Sequence, residues 1–180
     1  MIRFLTYLFA GIVLGGIIHI SVILIMPNLS THNAWTSIER VASPNQIKVI
    51  KREAHALRAA LDLDPAFVYA VCRVDLADGP VALSGSMPAN FWTAALIGPE
   101  GEVPYSTNSR TNNNRDLKIG IFTVQQAEML ISEEIDIDPD LQIIRVPSEK
   151  LAAIVRVLPS HSDLASAMEE QLGSLKCAQL

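Results

Sequence analysis

The chain has 180 residues, 49% of them hydrophobic and 18% charged, with a formal net charge of −5 at pH 7. That apolar content excludes a disordered tail. The acidic balance argues against nucleic acid, and against adhesion to anionic headgroups, as a mode of action.

The first element is an apolar helix. Phe4 to Met26 carries no Asp, Glu, Lys or Arg, and Pro27 closes it. At about 1.5 Å per residue this stretch crosses the roughly 30 Å bilayer core. It is too long for the apolar region of a cleaved signal peptide, and no small-x-small cleavage pattern follows. Arg3 precedes the span, and the next basic residue is Arg40. The positive-inside rule therefore predicts a cytoplasmic N-terminus and places everything after Pro27 outside the cytoplasm, which for a bacterial inner membrane is the periplasm. Tyr7, Gly11, Gly15 and His19 recur every four residues and share one helix face. Gly11 and Gly15 form a G-x-x-x-G pair, which lets helix backbones approach. His19 is an ionisable group at membrane depth, which favours protein or water as its neighbour. The plainer alternative is that glycine is common in membrane helices and His19 reaches the interface.

Ser30 or Thr31 caps a short helix through Trp35, Ile38 and Val41, with Trp35 suited to an interface. Ser43-Pro44 then opens a second helix, with Ile47, Ile50, Ala54, Leu57 and Leu61 as its apolar stripe. Lys48, Lys51, Arg52 and Arg58 occupy its solvated face. Asp64-Pro65 starts a segment to Cys72 that suits a short helix or a strand. Strands are predicted over 81–83, 91–97, 103–107, 117–122 and 141–146, with turns at 77–80 and 98–101 and a polar loop at 108–116. Pro104 marks the third of these as an edge. Thr123 caps a helix to Leu130, Ser148 a helix to about Leu158, and Ser162 or Asp163 a last one that stops before Cys177.

The expected fold class is α+β, with one N-terminal transmembrane helix. A domain follows with an antiparallel sheet of about five to six strands flanked by helices. Residues 1–27 form the anchor, 28–63 a juxtamembrane helical connector and 64–180 the periplasmic domain. The two cysteines, Cys72 and Cys177, are either bridged or free, and export favours the bridge.

Motifs for chemistry are sparse. The sequence has no nucleophile elbow, phosphate loop or zinc-protease motif. His19, His32, His55 and His161 stand apart, so no metal and no cofactor is expected. His161-Ser162-Asp163 has triad residue types, but adjacent residues cannot converge as a triad must. Asp136, Asp138 and Asp140 alternate like the start of a calcium loop, yet Leu141 and Pro147 stand where that loop needs Gly and Glu. Trp92, Tyr105, Asn108 and Arg110 are the candidate ligand or interface surface, from residue types enriched in such places. They serve equally as core and edge residues of a hairpin.

Three stretches carry a resemblance: Cys72 to Pro80, Phe91 to Leu96 and Tyr105 to Thr111. With the Gly15-Gly16-Ile17-Ile18-His19 anchor and Asp64-Pro65-Ala66-Phe67, they resemble domain-of-unknown-function family 1254, in its short, membrane-anchored alphaproteobacterial members. The resemblance implies no activity. It implies a partner, because larger relatives join this domain to one of family 1214, and in short members the two halves are separate membrane proteins. The expected function is a non-catalytic subunit or interaction module of an envelope complex, associating with such a protein or with itself through the anchor. The alternative is a periplasmic ligand-binding or enzymatic domain acting on an envelope sugar or lipid.

Overall fold

The computed structural model describes residues 1–29, 34–112, 116–132 and 137–180. The Ser30/Thr31 cap, His32 and Asp136 lie outside the described residues, as does part of the polar loop. The chain forms two compact units, Met1–Asn33 and Ala34–Leu180.

The first unit is one helix, α1 (Ile2–Leu29), apolar enough over Ile2–Ile25 to cross a membrane. Side chains from Met1 to Ile25 are exposed. The Thr6 and Ser21 hydroxyls donate to the carbonyls of Ile2 and Ile17, at 3.0 and 2.8 Å. These internal bonds satisfy both hydroxyls within the helix itself. Around Gly11 and Gly15 a Cβ would meet nothing within 4 Å, so the helix is open to close approach there.

The second unit is a sandwich. One sheet is antiparallel throughout, in the order β1 (Ile47–Ile50), β2 (Val68–Asp75), β8 (Lys150–Val157), β4 (Trp92–Ile97) and β5 (Tyr105–Asn108). The other runs β7 (Gln142–Val146), β6 (Asp116–Thr123), β3 (Val81–Ser86), β9 (Lys176–Gln179). In it β6 and β7 are parallel, joined through α4 (Val124–Ser132). Alternation along the strands makes the core. Ala70, Val74, Ala94, Leu96, Val155 and Val157 of the first sheet meet Val81, Leu83, Ile119, Ile121 and Val146 of the second in one buried cluster. The Cys72–Cys177 disulfide joins β2 to β9 across this core. Outside the first sheet, α2 (Ala34–Val41) and α3 (His55–Ala60) cover Ile50, Tyr69, Val71 and Ala152. Finally, a 3-10 turn (Ser162–Leu164) leads into α5 (Ala165–Gly173), which packs on β1 and β2.

The antiparallel sheet thus has five strands as expected, and a second sheet accompanies it. One predicted helix is a strand, and another is part strand, part helix. The stripe from Ile47 to Leu61 is split between β1 and α3, so the expected connector contributes to the domain itself. Asn45 stands at φ +53 and exchanges side-chain bonds with the backbone of Asp75, at 2.9 and 3.1 Å. That pairing docks the segment beside β2 before a helix can start. Trp35, expected at an interface, packs against the helix-covered cluster. The helix predicted after Ser148 is β8, hydrogen-bonded on both sides; its Ala and Leu content is a weak helical preference that pairing overrides.

Candidate functional site

The helical cover of the five-stranded sheet stops at β8. Where it stops, a step forms between the 61–67 loop and the bare outer face of β4 and β5. Arg58, on α3, shapes the loop. It is 7% exposed, and its Nη2 donates to the carbonyls of Asp64 and Phe67 at 2.8 and 3.0 Å. Its guanidinium lies 5.4 Å from the centre of the Tyr69 ring, and Nη1 makes no hydrogen bond. Arg58 was expected on a solvated face; the break between β1 and α3 turns it inward instead. Asp62, at φ +49, starts the reversal, and the Asp64 carboxylate accepts from the Ala66 N–H at 2.8 Å.

Strand register lines up what faces the step. Tyr69 opposes Arg156, Arg156 opposes Thr93, and Thr93 opposes Asn108. With a side-chain period of two, these four form one polar row across β2, β8, β4 and β5. The adjacent row runs Val71, Ile154, Ala95, Ser106. Val71 is buried under the helical cover, and the rest of the two rows line, with Asp62 and Ile97, a groove of about 460 Å³. Arg156 is fixed by two uncharged contacts. Its Nε donates to Thr93 Oγ1 at 2.8 Å, and its guanidinium lies 5.2 Å from the centre of the Phe67 ring. Burial pushes the Tyr69 hydroxyl above its ordinary pKa; the Asp64 backbone and the Arg156 and Arg58 charges pull back without reversing the shift.

The four residues proposed as a surface do not converge. Trp92 is 2% exposed, in the core between the sheets. Tyr105 faces the same side, and its hydroxyl donates to Gln142 Oε1 at 2.9 Å, linking edge strands β5 and β7. Asn108 faces outward, and its Oδ1 accepts from the N–H groups of Arg110 and Thr111 at 2.9 and 3.1 Å. Arg110 sits in that exposed turn. Only Asn108 therefore reaches the groove.

A second groove, about 600 Å³ and largely apolar, lies outside the four-stranded sheet between Ala82, Phe122, Leu141 and Leu180. At its rim Lys118 donates to Asp138 and Asp140 at 3.0 and 3.3 Å. These bonds raise the Lys118 pKa, while the Asp140 backbone N–H and then Lys118 lower that of Asp138. Two members of the calcium-like run are thereby committed to a lysine. Among the described residues no group of three or more His, Cys, Asp or Glu side chains is placed to hold a metal. Ser162 donates to Asp163 at 3.2 Å, in the turn before α5.

A family model described as "Protein of unknown function (DUF1254)" matches residues 44–176. The chain belongs to that family. The matched region of this DUF1254 protein begins just ahead of β1 and takes in both sheets up to the first residue of β9. No curated protein matches it. Among solved structures, it is similar to the VPA0106 protein from Vibrio parahaemolyticus, with a TM-score of 0.60 at 13% identity over 81% of this chain and 32% of that one. An uncharacterised protein from Burkholderia cenocepacia gives a TM-score of 0.44 at 12% identity, over 63% and 31%. The DUF1254 chain thus spans about a third of the length of these solved structures, and the first of them shares its fold.

Tyr69, Thr93 and Arg156 were missed in the sequence. The signal was present as alternation, since Thr93 and Arg156 each sit between inward-facing apolar neighbours. Knowing that they meet required the strand register.

Proposed function

We propose that this DUF1254 protein is a single-pass inner-membrane protein with a cytoplasmic N-terminus. Its periplasmic domain serves as a non-catalytic subunit or interaction module of an envelope complex. The observation that carries the reading is the combination of a bare apolar helix with a disulfide-bridged sandwich. A helix whose side chains are exposed over its whole apolar length needs lipid or another helix around it. Disulfides persist outside the reducing cytosol. Arg3 before the span supports the orientation.

A partner is supported from two sides. The face of Tyr7, Gly11, Gly15 and His19 is open at both glycines, as close helix packing requires. The same fold also occupies about a third of a longer chain in the Vibrio structure, so in that protein it is joined to further sequence. A small membrane protein of the family 1214 type is the partner we favour over a second copy.

The test is purification of the full chain from native membranes in mild detergent, comparing wild type with Gly11→Leu/Gly15→Leu. A small membrane protein recovered in stoichiometric amount with wild type, and depleted about tenfold or more in the double variant, is the expected result. Equal recovery with both proteins would refute the anchor face as the contact.

A further inference from the structure

We infer that the groove outside the five-stranded sheet binds an oxyanion carried on a polyhydroxylated body, with Arg156 gripping the anion. This inference is independent of the anchor and of any partner docked there. An exposed arginine on a sheet face usually does no more than solubilise, and three observations set Arg156 apart. First, its orientation is already fixed, by Thr93 through Nε and by the Phe67 ring beneath its plane. A guanidinium held in place loses less freedom on binding than a free one. Second, both anchors are uncharged. Among the described residues no carboxylate lies within ion-pair distance of Arg156, and no hydrogen bond occupies Nη1 or Nη2. The outer edge of the fork, which matches carboxylate or phosphoryl oxygens in pairs, is therefore available. Third, Arg156 stands in a concavity rather than on a ridge. About 460 Å³ falls within the range of small-ligand sites.

The rest of the lining specifies the body of the ligand. Ser106 offers a hydroxyl, and Asn108, whose Oδ1 is committed to its own turn, offers the two protons of Nδ2. Asp62 lines the same groove and accepts from ligand hydroxyls. Ala95 and Ile154, in the adjacent row, give a flat apolar floor for the carbon face of a ring. A sugar acid or a sugar phosphate answers all of this, and both share the anion that Arg156 would hold.

Isothermal titration of the full chain in detergent, with glucuronate, glucose 6-phosphate, inorganic phosphate and glucose as probes, separates the sources. Binding of glucuronate alone assigns a carboxylate. Binding of glucose 6-phosphate alone, more tightly than inorganic phosphate, assigns a phosphoryl group on a sugar. Binding of both assigns the anion in general. In each case Arg156→Gln should weaken binding about tenfold or more. Should that variant fold poorly, Asn108→Asp decides. It keeps the turn acceptor but adds a negative charge to the groove, so it should weaken both acids. Four results would overturn the inference: neither acid binds, inorganic phosphate binds as tightly as both acids, glucose binds as well as they do, or the variants bind like wild type.

Discussion

Arg58 decides the form of the groove wall although it does not line the groove. Its buried guanidinium donates to two carbonyls of the 61–67 loop, and it lies over Tyr69. Removing one partner of a buried hydrogen-bonded charge exposes the full desolvation cost of what remains. Arg58→Ala should therefore lower stability by about 3 kcal/mol in chemical denaturation, two charge-assisted bonds at the low end of their range. Arg58→Lys should not restore it, because one ammonium cannot take the place of a planar fork over the ring. A midpoint unchanged in Arg58→Ala would mean that the loop holds itself. Arg156, by contrast, is exposed and ties strand to loop through Thr93 and Phe67, so its loss is expected to show in binding more than in folding.

Among the elements, β1 is the least self-evident. Its four residues sit at the sheet edge, and Asn45 pins it to β2 through paired bonds with Asp75. Asn45→Ala removes those bonds and puts a less tolerant residue at positive φ. We expect a loss of about 1–2 kcal/mol, with faster hydrogen exchange at the β1 amides and none at β8. Unchanged protection of β1 would contradict this account. The same element shows where sequence reading stopped. A helical stripe and a strand followed by a helix place apolar residues at similar intervals over so short a span, and the deciding interaction lies 30 residues away at Asp75. For β8, alternation of Leu151, Ala153, Val155 and Val157 was legible, but good helix formers and a serine before them mimicked a capped helix. The signals at Thr123 were sound. Its hydroxyl accepts from the Gln126 N–H and Gln126 Oε1 accepts from the Thr123 N–H, a closed capping box at the start of α4. Turns at Gly79 and Gly101 fell where expected, both at positive φ. Of the groove, Asn108 alone was legible, because convergence of side chains from four strands is a property of register.

At the scale of the whole molecule, the anchor and the bridge belong together. The Cys72–Cys177 bond closes a loop of 105 residues and staples the first sheet to the second. Loop closure of that length contributes up to about 4–5 kcal/mol in the entropic model. Disulfides persist in oxidising compartments, so the bridge and the apolar helix both point to a membrane-anchored or exported protein. The direct measurement is thiol alkylation in denaturant, with and without prior reduction, on the full chain recovered from carbonate-washed native membranes. The account predicts that the protein stays in the washed membranes and that both cysteines alkylate only after reduction. Release of the protein by carbonate, or alkylation of Cys72 and Cys177 without reduction, would contradict it.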